Sequence, residues 1–571
     1  MNSSADLLAD LDDEQRLAAE TLLGPVCILA GAGTGKTRAL THRIANGVAT
    51  GVYDPSRVLA LTFTTRAAGE LRTRLRQLGA GGVSARTFHS AALAQLGFFW
   101  PQLVGGSPPR ILEGKGRLLG QAAEQLRIRV DTAALRDIAA EIEWRKVSRL
   151  NLDQYARAAA SRPLPPGLGV DAVVALQQAY EQIKDERRQL DFDDVLLATA
   201  GMLDAEPWVA EQVRAQYRFF VVDEYQDVSP LQQELLDLWL GTRTDLCVVG
   251  DASQTIYSFA GATSDYLLGF ANRYPDATVL RLETNHRSGA SILQLANRLM
   301  RSHAGALDLV PAEAALPAEP VDPPTAFDTD LDEARGIAAA VAAEVRSGVR
   351  PERIAVLYRV NSQAPQLEAA LADEGLSTRL IGATRFFDLP YIKQAILELG
   401  SVARTGAPGP LFQSVSDVLR NMGWTLQAPD GPGAVREKWE ALNALVELAD
   451  QATPETTLAA FVDELKQRQA AQHEPTVSAV VLSTLHSAKG LEWDSVHIAG
   501  LSEGLLPISH ARGLAAIDEE RRLLYVGITR ARRRLSLSWS RQGMRGQSRE
   551  PSRFLAELRT SSADAAARST R

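Results

Sequence analysis

Along this chain, short continuous runs of apolar, often β-branched residues alternate with stretches whose apolar positions recur at helical spacing. A continuous run, without polar alternation, is what a strand buried on both faces requires, as in a parallel sheet covered by helices on either side. Residues 26–30, 57–64, 219–222 and 246–251 read as such strands, and residues 534–539 as a further strand near the end. Helical spacing follows the first of them, returns over residues 67–77, and then holds from residue 90 to 184, broken at the proline-rich residues 162–167. The pattern predicts an α/β architecture of open parallel sheets into which a mainly helical domain is inserted. Residues 559–571, rich in Ser, Ala and Arg, are too polar to pack and are expected to be disordered.

Length and composition extend this picture. A chain of 571 residues, 45% hydrophobic and 23% charged, is globular and too long for one core, so about four domains are expected. No apolar run approaches the roughly 18 residues that a spanning helix needs, and residues 1–10 are acidic where a secretory leader is basic and then apolar. No membrane partner is expected, and the expected location is the cytoplasm, in association with the nucleoid. Cys27 and Cys247 are the two cysteines, each within a core strand, which leaves no disulfide framework or zinc cluster. The net charge of −8 argues against a basic DNA coat. Local clusters at Arg72/Arg74/Arg76, Arg145/Lys146/Arg149 and Arg530/Arg532/Arg533/Arg534 are compatible either with solvated helix faces or with a narrow nucleic-acid track.

The sharpest chemical signal follows the first strand. Ala30-Gly31-Ala32-Gly33-Thr34-Gly35-Lys36-Thr37 is a phosphate-binding loop, with Ala30 where the strict pattern has Gly. Small residues let backbone N–H groups turn toward phosphate, Lys36 reaches the β/γ oxygens, Thr37 ligates Mg²⁺, and a helix N-terminus adds its dipole. A bound ATP or GTP is implied. Upstream, the Gln15 amide could read an adenine edge with one donor and one acceptor. Downstream, residues 219–222 deliver Asp223-Glu224 to a strand's carboxyl end, where nucleotide sites of open α/β sheets lie. Asp223 would hold Mg²⁺ through water, and Glu224 would orient and deprotonate the attacking water. The long separation of Lys36 from Asp223 requires an insertion between them. After the strand 246–251, Gln254 can sense a γ-phosphate, while Tyr257 and Phe259 fit either base stacking or a core; Phe63 carries the same alternative.

Taken in order, the phosphate loop, Thr87-Phe88-His89-Ser90, Asp191-Phe192-Asp193-Asp194, Val222-Asp223-Glu224-Tyr225-Gln226-Asp227, and Val249-Gly250-Asp251 with Gln254-Thr255-Ile256-Tyr257 resemble motifs of the UvrD/Rep family of superfamily 1A DNA helicases. The resemblance continues through Glu283-Thr284-Asn285-His286-Arg287-Ser288, Val356-Leu357-Tyr358-Arg359-Val360-Asn361-Ser362-Gln363, Thr484-Leu485-His486-Ser487-Ala488-Lys489-Gly490-Leu491-Glu492-Trp493, and the run from Glu519 to Ala531. It implies two RecA-like P-loop motor domains, each with a mainly helical insert, ATP and Mg²⁺ as cofactors, and ATP-driven 3′ to 5′ movement on DNA in repair or replication. It implies that Arg287 and Arg530 touch the γ-phosphate from the second motor, that Glu492 meets the ribose, and that Gln15, Arg38 and His286 surround the adenine. Phe63, His89, Tyr257, Phe259, Arg359, Asn361 and His486 fall where the family lines its single-strand track. The implied partners are single-stranded DNA, single-strand/duplex junctions and a protein loading partner, with the chain acting as a monomer or a DNA-dependent dimer.

Departures from the family pattern carry their own expectations. Phe259-Ala260 stands where the family has Trp then Arg, which removes stacking area and a cation. His286 stands where Tyr or Phe stacks on adenine, giving a smaller and titratable ring. Residues 394–480 are fewer than the usual accessory domain, and its Gly-Ile-Gly duplex loop is not evident; Asp430-Gly431-Pro432-Gly433 reads as an ordinary turn. The expected layout is a first motor at residues 1–89 and 191–282 with an insert at 90–190, and a second motor at 283–377 and 477–558 with a short insert at 378–476. A helicase, a translocase that strips proteins from single strands while unwinding duplex poorly, and a scaffold built on a dead motor are the three function classes weighed. Intact Lys36, Glu224, Arg287 and Arg530 oppose the last.

Overall fold

A computed structural model describes residues 4–558, apart from residues 161, 163, 166, 313–318, 382–385, 406–408, 428, 430–433, 451, 454–455, 472–478 and 544–545. The turn at residues 430–433 and the tail at 559–571 therefore lie outside the described residues. The apolar runs form two six-stranded sheets. In the first, β1 (Val26–Ala30), β2 (Val58–Thr62), β3 (Ser84–Thr87), β4 (Phe219–Val222), β5 (Leu246–Gly250) and β6 (Thr278–Leu282) lie in the order β3-β2-β4-β5-β1-β6. Every pairing is parallel, with Ile28 opposite Val249 and Val221 opposite Cys247.

Period-two alternation splits the side chains of the central strands between two cores. Leu59, Leu61, Phe220, Val222, Leu246 and Val248 join one, beneath the helices Phe88–Leu103, Phe192–Ala205 and Pro230–Leu240. Val58, Ala60, Phe219, Val221, Cys247 and Val249 join the other, beneath Lys36–Ala49 and Thr65–Gln77. Both cysteines are buried and free, and burial pushes the Cys27 thiol up to about 12. The edge strands β3 and β6 are partly exposed and lack a continuous apolar run, so the pattern that reveals the central strands passes over them.

The helix Phe88–Leu103 packs within the motor core, and a separate core between Leu112 and Ile183, containing Leu119, Ile138, Leu176 and Tyr180, belongs to the helical insert. A buried ion cluster lies against that core. Lys146 Nζ donates to Asp191 at 2.7 Å and to Asp194 at 2.6 Å, Lys184 bonds both carboxylates, and the Tyr180 hydroxyl donates to Asp191 at 2.9 Å. Burial disfavours the Lys146 charge, but Asp191, Glu181 and Asp194 outweigh it and raise its pKa. Arg145 pairs with Glu181 at 2.7 Å and Arg149 with Glu234 at 2.6 Å. The Arg145/Lys146/Arg149 cluster is consequently no basic track: carboxylates distant in sequence neutralise it.

The second sheet comprises β7 (Thr325–Thr329), β8 (Ile354–Tyr358), β9 (Thr378–Ile381), β10 (Val480–Thr484), β11 (Trp493–Ile498) and β12 (Ala531–Gln542), in the order β7-β12-β11-β8-β10-β9, again all parallel. Between β9 and β10, the helices Pro390–Thr405, Leu411–Asn421, Ala434–Asp450 and Leu458–Ala471 close around Phe386, Trp424, Leu445 and Phe461. The chain divides into two compact units, Met1–His286 with Arg301–Ala314, and Arg287–Met300 with Ala315–Arg571. Among the described residues no helix is long and apolar enough to cross a membrane.

Candidate nucleotide and nucleic-acid sites

β1 ends at Ala30, and the chain turns through residues 31–35 into the helix Lys36–Ala49. Gly33 (φ 73°) and Gly35 (φ 78°) occupy the left-handed region that favours glycine. A side chain on Gly35 would strike Gln15, and one on Gly31 would strike Leu309. The loop's carbonyl oxygens are all engaged. Gly31 accepts from the Thr34 hydroxyl at 2.9 Å, Ala32 from the Asn285 amide at 2.6 Å, Gly33 from the His286 N–H at 2.9 Å, and Thr34 from Gln15 Nε2 at 2.9 Å. A loop whose carbonyls are held in this way is set to present N–H groups to an anion. Gln15, read from sequence as an adenine contact, is buried and braces the loop through its amide nitrogen. Asn285 sits inside a motif whose pattern gives it no role, and nothing in the sequence marks Leu309.

The sheet order sets β4, β5 and β1 side by side, so their carboxyl ends bring Asp223-Glu224, Asp251 with Gln254, and the phosphate loop together. Lys36 Nζ is buried without a hydrogen bond and stands 3.8 Å from Glu224 Oε1. A buried ammonium in that condition is costly, and phosphate oxygens would satisfy it. Glu224 has left-handed backbone (φ 54°, ψ 39°), a conformation that is uncommon outside glycine and clusters at functional positions. Its N–H donates to Asp223 Oδ1 at 3.0 Å. Gln226, wholly buried, donates to the Glu224 carboxylate and accepts from the Asp251 N–H at 3.0 Å, while Gln254 Nε2 donates to Asp251 Oδ2 at 2.7 Å. A polar chain thus runs from Glu224 through Gln226 and Asp251 to Gln254. Gln226 and Asp251, to which the motifs alone give no role, are its links.

The other residues assigned to the adenine side gather around the helix Asp13–Glu20. Arg38 donates to the Asp10 carbonyl at 2.8 Å, and His286 Nε2 lies 2.7 Å from Asp12 Oδ2, whose carboxylate also caps the helix at Gln15 N. In the second unit, Glu492 is clasped between Arg287, at 2.5 Å, and Arg532, at 3.0 Å. Burial works against its charge, but Arg287, Arg532 and Arg530 hold the Glu492 carboxyl below the usual range. Arg530 is only 2% exposed and donates to the Val526 and Leu491 carbonyls and the Thr529 hydroxyl.

The residues assigned to a DNA track divide between the units. In the first, Phe63 packs on Phe88 with ring centroids 6.3 Å apart, and Tyr257 meets Phe259 edge-on at 6.2 Å. Phe259 is 62% exposed. His89 stacks on Phe192 at 4.1 Å and 12°, and burial above all pushes its pKa down to about 4, so it is neutral. Phe192, at 52% exposure, is a platform that the sequence offered only inside a motif. In the second unit, Arg359 makes a bidentate pair with the buried Glu520, its closest contact 2.7 Å, so its guanidinium is committed to the fold. Asn361 is exposed at the start of a turn, and His486 is held neutral, its pKa pushed down to about 3 by burial and then by Arg359 and Lys489.

A parallel sheet whose inner strand feeds a glycine loop ending in Lys-Thr, with an Asp-Glu pair two strands away, defines a P-loop nucleoside-triphosphate motor of the RecA-like kind, here followed by a second α/β unit. Residues 11–275 match the UvrD/REP helicase N-terminal domain, and residues 280–428 and 409–542 match the UvrD-like helicase C-terminal domain. The chain belongs to the UvrD/REP helicase family. It is similar to the ATP-dependent DNA helicase UvrD2 of Mycobacterium tuberculosis (strain ATCC 25618 / H37Rv), with 46% identity over 97% of this chain and 82% of the relative. It is also similar to the ATP-dependent DNA helicase PcrA of Bacillus subtilis (strain 168), at 28% identity over 97% of this chain and 86% of that one.

Proposed function

We infer that the chain is an ATP-dependent DNA helicase of the UvrD/PcrA type, moving 3′ to 5′ along single strands in repair or replication. The observation that carries the nucleotide site is the buried Lys36 ammonium, unbonded beside Glu224 at the mouth of a braced phosphate loop. The residues present fit a magnesium nucleotide: the loop offers N–H groups, Lys36 a charge for the β/γ oxygens, Thr37 a hydroxyl and Asp223 a carboxylate, the sparse donor set that Mg²⁺ takes when phosphates complete its shell. The bound metal would neutralise charge building on the phosphates. Glu224 orients a water and takes its proton. Gln226 fixes the rotamer of Glu224, and Asp251 fixes that of Gln254, so both side chains are preorganised at the loop. Arg287 and Arg530 would stabilise charge on the departing γ-phosphate, Glu492 would meet the ribose, and Gln15, Arg38 and His286 would frame the base; Glu492 holds Arg287 meanwhile.

For DNA, Phe63, His89 with Phe192, Tyr257 and Phe259 supply stacking surfaces that tolerate any base, and Asn361 and His486 continue the track, while Arg359 is held by Glu520. A second reading, a translocase that clears proteins from single strands and unwinds poorly, is favoured by Ala260 beside the exposed Phe259. The test compares ATP-fuelled displacement of streptavidin from single strands with unwinding of a 3′-tailed duplex, using Lys36→Ala as the control. The wild type is expected to hydrolyse ATP under single-strand stimulation and to perform both tasks, and the variant to perform neither. Hydrolysis at near wild-type rate in the variant would remove Lys36 from the site.

A further inference from the structure

Residues 301–312 follow the helix Ala290–Met300 of the second unit, and the chain after them returns to that unit, yet the segment itself packs within the first. It is bonded to the strand end behind the phosphate loop. The Val310 N–H donates to the Glu283 carbonyl at 3.0 Å, the Ala312 N–H to the Asn285 carbonyl at 2.9 Å, and the Asp308 N–H to the Glu283 carboxylate at 3.3 Å. Asn285 in turn holds Ala32 of the loop. Leu307 and Leu309 are buried while Asp308 and Val310 are exposed, the alternation of an extended segment with one face against protein. The buried face meets the loop directly: a methyl group on Gly31 would lie 2.3 Å from Leu309 Cδ2 and 3.6 Å from Leu307 Cδ1. The segment has a second point of contact. Gly305 (φ 76°) passes so close to Ala252 that a methyl group on it would lie 2.8 Å from the Ala252 Cβ, and Ala252 opens the turn Ala252–Gln254, whose last residue is tied to Asp251.

Both contacts fall on parts assigned to the phosphates of one nucleotide, the loop at one end and Gln254 at the other, and neither contact has slack. Leu309 brings no polar side-chain group, so its effect on a nucleotide has to pass through the backbone it supports. A cradle of N–H groups works only while that backbone is held, since a misplacement on the order of 1 Å is enough to lose most of the benefit of a positioned group. We propose that residues 305–309 are a positioning strap for the nucleotide, in which Leu309 sets the phosphate loop and Gly305 sets the Ala252–Gln254 turn against the γ-phosphate. The proposal rests on the assignment of that loop and turn to ATP, and adds residues that lie in none of the motifs.

The experiment measures the affinity of the full chain for MgADP and for the slowly hydrolysed MgATPγS, with the melting temperature alongside. The variants are Leu309→Ala, Leu309→Met, Gly305→Ala and Leu203→Ala, the last an equally buried leucine in the helix Phe192–Ala205. Leu309→Ala is expected to weaken both nucleotides about tenfold, and Leu309→Met, of similar volume, to bind as the wild type does. Gly305→Ala pushes the strap off Ala252 and is expected to weaken MgATPγS about fivefold while leaving MgADP within about twofold, because only the former carries a γ-phosphate for Gln254. Leu203→Ala should lower the melting temperature and leave both affinities unchanged. A folded Leu309→Ala protein with wild-type affinities overturns the proposal, as does equal weakening by Leu203→Ala, which would reduce the strap to core packing. Equal weakening of the two nucleotides by Gly305→Ala overturns its second contact. Where Leu309→Ala does not fold, Leu309→Val makes the same test with a smaller cavity. A wild type that binds neither nucleotide would instead sink the assignment of the loop to ATP.

Discussion

At the scale of single residues, Glu224 carries the most testable chemistry. Glu224→Gln preserves shape and the bond from Gln226 but removes the base, so ATP should still bind while turnover falls by about 10²–10⁴-fold. Nucleotide binding by fluorescence titration beside steady-state hydrolysis checks this; loss of binding would make Glu224 structural. His89 offers a pH signature. Its folded pKa of about 4 lies below the ordinary 6.5, so within that window the unfolded chain binds a proton that the folded chain refuses. Stability therefore falls as pH falls through the window, by up to about 1.4 kcal/mol per pH unit from this group. His89→Gln should flatten the decline in melting temperature between those two values, whatever it does to the absolute value, and identical slopes would refute the neutral, buried assignment. Legibility from sequence was uneven at this scale. Lys36 and Glu224 announce themselves because local spacing dictates their chemistry. Gln226, Asn285 and Phe192 do not, because each takes its meaning from a partner that only the fold supplies. Arg359 misleads for the same reason, since Glu520 claims it from far along the chain.

At the scale of elements, burial on both faces made β1, β2, β4 and β5 readable, and partial exposure hid β3, β6, β7 and β9. The buried β8, β10 and β11 of the second sheet were not read as strands, since only motif residues were drawn from them. The helix Phe88–Leu103 continues the insert's helical spacing in sequence yet buries Phe88, Ala91 and Ala92 in the motor, a choice that periodicity cannot make. The ion cluster around Asp191 ties helices of the insert to the helix Phe192–Ala205. It makes a definite demand: ammoniums and carboxylates share partners, so removing one ammonium leaves Lys184 to face a buried excess of carboxylate charge. Lys146→Met should destabilise the first unit by about 3–5 kcal/mol, where an exposed lysine would cost almost nothing. Thermal unfolding followed by tryptophan fluorescence measures the difference, with Lys466→Met, on an exposed helix face, as the comparison.

At the scale of the whole molecule, the departures at Phe259 and Ala260 bear on how hydrolysis is spent on duplex. Phe259→Trp with Ala260→Arg enlarges an exposed stacking surface, where stacking is worth ~1–3 kcal/mol per base, and adds a cation that steepens salt dependence. The double variant should bind single strands more tightly at low salt, lose affinity faster as salt rises, and unwind more tailed duplex per ATP. Binding, slope and unwinding that all match the wild type would show that this loop does not meet DNA.

The division of the chain has a consequence for its biosynthesis. Residues 301–314 return to the first unit, where Val310 and Pro311 pair with Thr284 and Asn285, and Leu307 and Leu309 press against Gly31. The phosphate loop has no back wall until translation has passed Leu309. By then the helix Ala290–Met300, which belongs to the other unit, has already emerged and must wait for partners not yet made. Neither unit is a contiguous segment of the chain, so neither could be excised by a single cut.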